Sequence, residues 1–175
     1  MSAITIRVAD IQNDFQYIMP LFYDLQKQHT QALPKLFRNV NSYEDFITLI
    51  EDFDNQEDKI RLAKELDFLL LFEKDNIVIA CAYVQDKIRV ADIAFLGSHY
   101  LFVACFIVDS LYRGQGLGQM CFTNLKKWAI NRGYTQIELS VLHNNKSAIS
   151  LYETVGLTKE LLTMSCELTR SIEEK

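Results

Sequence analysis

The chain has 175 residues, 49% of them apolar and 23% charged, with a formal net charge of −5. That is enough apolar material for one packed domain and too much for a disordered chain. The acidic balance excludes a sequence-blind grip on nucleic acid, and no apolar run reaches the roughly 18 residues that a membrane span needs.

The opening "MSAITIRVAD" lacks a basic stretch followed by a long apolar one, so no secretory signal is read and a cytoplasmic location is expected. Cys81, Cys105, Cys121 and Cys166 form no CxxC pair, and His29, His99 and His143 do not cluster with them. No metal site or disulfide framework is expected. Cys81, Cys105 and Cys166 sit in apolar, strand-like runs and read as buried, reduced thiols.

In chain order, "AITIRVA" (3–9) alternates Ile4, Ile6 and Val8 and predicts a strand. Asp10 is placed to cap a helix over 11–31, whose apolar residues Ile11, Phe15, Ile18, Leu21, Phe22 and Leu25 lie near helical spacing. Pro20 predicts a kink or two helical pieces there. Ser42 can cap a second helix over 42–53, with Asp45 three residues on. The charged stretch 54–65 reads as a loop or an exposed helical turn. "LDFLLLFEK" (66–74) and "NIVIACAYVQ" (76–85) flank an Asp75-Asn76 turn and predict a hairpin. Residues 86–98 are compatible with a short strand and a turn.

"YLFVACFIVD" (100–109) is apolar throughout, as a central strand buried on both faces should be. Leu117, Cys121, Leu125, Trp128 and Ala129 share one face of a helix over 117–131, ended by "NRG". "QIELSVL" (136–142) alternates as a strand. "SAISLYETVG" (147–156) carries Ala148, Leu151, Tyr152 and Val155 at helical spacing, with Gly156 as a stop. "LLTMSCEL" (161–168) predicts a closing strand. No repeat or linker divides residues 1–175, so a single mixed α/β domain is expected, with about seven strands and about four helices.

Between the apolar strand and the helix at 117 lies "LYRGQGLGQM", with three glycines in five positions. A helix begins with N–H groups that have no internal partner, and its dipole is positive there. Bare backbone at Gly114, Gly116 and Gly118 beside Arg113 fits a phosphate cradle, and it also fits a plain tight turn. A P-loop would need Lys and Ser or Thr after the last glycine, where Gln119 and Met120 stand. A dinucleotide fingerprint needs GxGxxG near an early strand, and this loop is GxGxG and late.

The stretch resembles the phosphate motif of the GNAT superfamily of acyl-CoA N-acyltransferases, Gln/Arg-x-x-Gly-x-Gly/Ala, met by Arg113, Gly116 and Gly118. A second family pattern, Asn-x-x-Ala-x-x-x-Tyr-x-x-x-Gly-Phe, is met by Asn145, Ala148, Tyr152 and Gly156, with Leu157 in place of the Phe. The resemblance is specific over about residues 100–168 and rests on element order before that. It implies a GNAT-like α/β (α+β mixed) fold, with a mixed, mostly antiparallel sheet splayed at its centre.

It further implies acetyl-CoA as cosubstrate, with no metal. The diphosphate would lie on the N–H groups of Gly114, Gln115, Gly116, Leu117, Gly118 and Gln119, beside Arg113. The pantetheine arm would run along the backbone of Phe106, Ile107 and Val108, and a β-bulge is expected there. Tyr152 matches the family's general acid, against a reading of the bare sequence as a core aromatic. Asn145 resembles the family's anchor for the pantetheine or for the Tyr helix, against a reading as cap of a helix over 146–155, for which Asn144 is the other candidate.

The implied activity is acetyl transfer to a primary amine of a small molecule or peptide by direct attack. A non-catalytic CoA-binding sensor of the same fold is the competing reading, and an unrelated nucleotide-binding enzyme a further one. The apolar strand holds no Glu before Asp109, so the general base stays open among Glu138, Asp92, His99, His29 and a water chain. Asp54, Glu57, Asp58 and Asp92 suggest a cationic acceptor, or simply a solvated face. The resemblance also implies a homodimer through an edge strand.

Overall fold

The computed structural model describes residues 3–55 and 67–166. The chain runs β1 (Thr5–Val8), α1 (Ile11–Ala32), α2 (Tyr43–Asn55), β2 (Asp67–Lys74), β3 (Ile77–Arg89), β4 (Ser98–Val108), α3 (Leu117–Asn131), β5 (Gln136–Leu139) and α4 (Lys146–Thr154). The strands form one sheet in the order β1-β2-β3-β4-β5. β1 to β4 are antiparallel neighbours, and β5 joins β4 in parallel.

Both faces of this sheet are covered, which explains the unbroken apolar runs. Leu70 and Phe72 of β2 join Ala80, Ala82, Leu101 and Val103 beneath α3, which contributes Leu117, Cys121, Phe122, Leu125 and Ala129. Leu69, Leu71, Cys81 and Ile107 face the other way, against Ile18, Met19 and Leu21 of α1 and Phe46 of α2. The β2–β3 turn has positive φ at Asp75 (53°) and Asn76 (63°). A two-residue hairpin of type I′ needs that sign at both positions, and Asp and Asn tolerate it.

Several expectations are corrected. The described residues form five strands, not seven. Residues 161–166 form no strand, and 167–168 lie outside the described residues. Leu161, Leu162 and Met164 are 97%, 75% and 85% exposed. Strand propensity is realised only against a pairing edge, and this segment has none. For the same reason Cys166 is exposed, not buried, whereas Cys81 and Cys121 are buried. Residues 86–89 continue β3 and do not form a separate strand.

Pro20 does not divide the first helix, which is continuous over Ile11–Ala32. A proline inside a helix costs roughly 3 kcal/mol. Here its ring faces solvent, while Ile18, Met19 and Leu21 around it are buried. Packing of that face offsets the lost bond.

Among the described residues one charged group lies inside. Asp14 is 4% exposed. Its carboxylate accepts from Arg7 Nη1 at 2.6 Å and Nη2 at 2.8 Å, and from the Asp10 backbone N–H at 2.8 Å. Arg7 also donates from Nε to Glu73 at 2.8 Å, so one guanidinium ties α1 to β1 and β2. The hydrogen bonds from Arg7 hold the Asp14 carboxyl below its ordinary value. A depressed folded-state pKa contributes stability that is present above the unfolded value near pH ~4 and lost as pH falls through the folded one. Asp14→Asn should therefore lower unfolding free energy by roughly 2–3 kcal/mol at neutral pH and flatten the acid limb of stability below pH ~4, both measured by urea titration.

Candidate functional site

The β4–β5 pairs begin at Tyr100↔Gln136 and stop at Val103↔Leu139, yet β4 continues to Val108. At the point of parting β4 carries a bulge: Tyr83 pairs with Cys105 and Val84 with Val103, so Ala104 is the extra residue. The expected bulge lies just before Phe106–Val108. It resets the alternation of side chains, because Val103, Phe106 and Val108 pack toward α3 while Cys105 and Ile107 face α1. Past the bulge β4 lacks β5 as a neighbour.

A cleft of about 890 Å³ opens in that gap. Its walls are Leu25, Gln28 and His29 of α1, Val103–Val108 of β4, the turn at 113–119, residues 140–142, and α4 from Ser147 to Tyr152. Phe106, Ile107, Val108, Arg113, Gly114, Gly116, Gly118, Gln119, Asn145 and Tyr152 all line it. Two expected residues do not. Leu117 is 6% exposed and points into the core under α3. Gln115 donates its side-chain amide to the Leu111 carbonyl at 3.0 Å. Their backbone N–H groups, not their side chains, are what the loop can offer an anion.

The three glycines do different work. Gly114 and Gly116 both have φ of +74°, and a Cβ on either would meet nothing within 4 Å. Gly116 is the N-cap of α3 and makes no side-chain cap bond. The first N–H groups of α3 are therefore bare toward the cleft, as an anion cradle requires. Gly118 serves packing: a Cβ there would lie 2.8 Å from Leu151 Cδ1 and 3.4 Å from Val108 Cγ2. Its absence lets α3 approach α4 and β4.

Arg113 reaches back across the loop. Its Nε donates to the Val108 carbonyl at 2.8 Å and its Nη2 to Asp24 of α1 at 2.5 Å. The positive charge at the cradle is thus fixed in place and already shared with a carboxylate.

Asn145 caps α4: its Oδ1 accepts from Ala148 N–H at 3.1 Å, and it also lines the cleft. Asn144 is not the cap; its amide approaches the Ala32 carbonyl at 3.5 Å. Tyr152 is half-buried, its ring 5.4 Å from that of Phe122. Burial pushes its hydroxyl up to about 12, with Cys105 adding to the shift, so the phenol stays protonated at physiological pH. Burial likewise raises Cys105 to about 12, which keeps that thiol neutral in the cleft wall.

The candidate bases separate. Glu138 is paired with Arg89 at 2.6 Å and His99 with Asp86 at 2.6 Å. Asp92 accepts from the backbone of Ala94 and Phe95, both at 2.7 Å. None of these three lines the cleft, and His29 does. Of the acidic residues thought to attract a cation, Asp92 is spent on its own turn, Asp54 lies at the end of α2, and Glu57 and Asp58 lie outside the described residues. Element order places the N-terminal helices and the connections at 30–41, 54–65 and 86–98 on the acceptor side, and α1 does form a cleft wall, but of its wall residues Leu25 read only as part of an apolar helix face and Gln28 carried no signal.

Among the described residues no group of His, Cys, Asp and Glu could hold a metal ion, and no helix is long and apolar enough to cross a membrane.

A model of the acetyltransferase (GNAT) family matches residues 30–157. The chain belongs to the GNAT acetyltransferase family, whose members carry out acyl transfer with acetyl-CoA. Among curated proteins, the thialysine N-epsilon-acetyltransferase of Sus scrofa is 42% identical over 45 residues. That match spans 26% of this chain and 26% of the relative. Among solved structures, a point mutant of the BH1408 protein of Bacillus halodurans superposes with a TM-score of 0.76 at 19% identity, covering 94% of this chain and 99% of that one. An aminoglycoside N-acetyltransferase, AAC(6')-Iy in complex with CoA, gives 0.58 at 12% identity, covering 96% of each chain. At such identities the likeness shows the shared fold.

The two kinds of glycine are distinguished by what relieves their loss. Gly118→Val should cost roughly 1–3 kcal/mol by overpacking against Leu151 and Val108. Gly116→Ala should cost a similar amount from left-handed backbone strain alone, with no clash. Urea unfolding of the two variants, each also carrying Leu151→Ala, tells them apart: the added cavity should relieve only Gly118→Val.

Proposed function

We propose that this protein transfers the acetyl group of acetyl-CoA to a primary amine of a small molecule or peptide, within a ternary complex in the cleft. The observation that carries this reading is the pairing of an uncapped α3 start with a stretch of β4 whose β5-side edge is open, in one continuous space. The first suits a diphosphate and the second suits an amide-bearing arm. The name of the thialysine acetyltransferase points the same way for the acceptor, an alkyl amine.

In this reading the N–H groups of residues 114–119 and the Arg113 guanidinium hold the diphosphate. The backbone of Phe106–Val108 holds the pantetheine as an added strand. A backbone N–H past the bulge faces the carbonyl oxygen as it gains charge. The bound thioester supplies the acetyl group. Tyr152 donates its hydroxyl proton toward the departing sulfur, since a thiol pKa of roughly 8.5 means that the sulfur leaves as a thiolate and a weak acid beside it helps. The protonated state that burial imposes on Tyr152 suits that role. Asn145 holds the first turn of α4, and with it the Tyr152 helix, against the cleft.

Binding and chemistry are tested separately. CoA should raise the melting temperature, by an amount equivalent to about 2.7 kcal/mol at a hundred times its dissociation constant, whereas ATP and NAD should not. Gly116→Val should abolish that shift, because its side chain would project into the cradle from a strained backbone. Tyr152→Phe should lower kcat by about 100-fold in a thiol-release assay with acetyl-CoA and thialysine, and leave CoA affinity within about twofold. A wild-type protein that binds CoA but releases no thiol with any amine would be a sensor instead.

A further inference from the structure

We propose that His29 is the general base that deprotonates the acceptor amine. The proposal rests on the acetyl-transfer reading and adds to it the residue that the apolar central strand does not provide.

Four observations carry it. First, His29 lies on the last turns of α1 and lines the cleft across from β4 and α4. Second, it also lines a smaller hollow of about 310 Å³, with Gln28, Gln31, Ala32, Leu142, Asn144 and Asn145. Leu25, Gln28, His29, Leu142 and Asn145 are common to both spaces, so His29 stands where the two meet. Third, its ring is fixed by stacking on Phe37, centroids 4.5 Å apart at 29°. The segment carrying Phe37 is in turn tied to α1, because Gln26 and Thr30 both donate to the Arg38 carbonyl, at 2.6 and 3.0 Å. Fourth, the rivals are committed elsewhere: Glu138 to Arg89, His99 to Asp86 and Asp92 to its own turn.

The protonation state fits. Burial lowers the His29 pKa below its ordinary value, so the imidazole is neutral at physiological pH and carries a free lone pair. An alkyl ammonium, with a pKa of roughly 10, cannot attack until it loses a proton. One proton passes from the ammonium to His29. The amine lone pair then forms the new C–N bond and the C–S bond breaks. The thiolate takes the Tyr152 proton, and Tyr152 is reprotonated by the second proton of the new amide nitrogen. His29 returns its proton to water, so one proton is released per turnover. The other titratable side chains on the cleft walls are Cys105 of β4, Arg113 of the loop and Tyr152 of α4. Asp24 lies on α1 paired with Arg113, and Lys35 and Arg38 flank Phe37 in sequence. Cys105 and Tyr152 are both pushed up to about 12 and do not titrate near neutral pH.

The test compares wild type with His29→Gln and His29→Ala, using thiol release from acetyl-CoA with thialysine, or with the fastest alkyl amine of a panel. Wild-type kcat should level off by neutral pH. His29→Gln should fall about 100-fold or more there and climb with hydroxide through alkaline pH, as solvent takes over deprotonation. Added imidazole should restore part of the His29→Ala rate, and CoA should still raise the melting temperature of both variants. A wild-type rate and pH profile in His29→Gln overturns the proposal. Joint loss of activity and of the CoA shift, without imidazole rescue, also overturns it by giving His29 a structural role. If the wild type releases no thiol with any amine although CoA stabilises it, acetyl transfer itself fails and this proposal falls with it.

Discussion

A β-strand whose neighbour leaves it midway is left with a row of backbone donors and acceptors that want a partner. In this protein β4 meets that situation after Val103, where β5 stops and the Ala104 bulge turns the remaining strand. The candidate site is arranged around the gap. α1 and α4 close its two sides, and the glycine turn closes its end. The gap survives because β4 is still paired on its other edge, from Ala80↔Val108 to Arg89↔Ser98, so half the strand's hydrogen bonds never depended on β5. The bulge also keeps Phe106 and Val108 in the α3 core while Cys105 and Ile107 serve the α1 side. A strand of strict alternation would have put Val103, Cys105 and Ile107 on one face.

A similar division of labour holds in the loop that follows. Gly114 and Gly116 supply left-handed backbone beside open space, and Gly118 supplies close helix packing. Arg113 is held by Val108 and Asp24, so its charge is positioned before any anion arrives. Preorganised charge loses less to ordering on binding than a free side chain would. Asp24 and His29 both belong to α1, so the helix that fixes the cradle's arginine also presents a neutral imidazole to the cleft.

The family relationship and the acceptor are questions of different kinds. The pattern shared with GNAT acetyltransferases spans residues 30–157, and the fold is shared with proteins below 20% identity. That resemblance concerns the frame around the β4 cleft. The second hollow, beside the cleft, is bounded by the end of α1 and by Leu142, Asn144 and Asn145, with Phe37 of the 33–42 connection stacked on His29. Its walls are rich in amides, with Gln28, Gln31, Asn144 and Asn145 beside His29 in the lining.

Local chemistry was readable from residue order alone. The α3 boundaries, the Asp75-Asn76 turn, the Asp10 and Ser42 caps and the glycine loop all depend on residues within a few positions of one another. Long apolar runs announced strands buried on both faces. What residue order did not determine was anything decided by a distant partner. The closing strand at 161–166 does not form, because strand propensity needs an edge that only the assembled sheet could offer. Pro20 is tolerated because the sheet holds the helix on either side of it. Glu138, His99, Asp92 and His29 were equals on paper. Arg89, Asp86 and a local turn claimed three of them, and the packing of α1 across the β4–β5 gap left His29 facing the cleft.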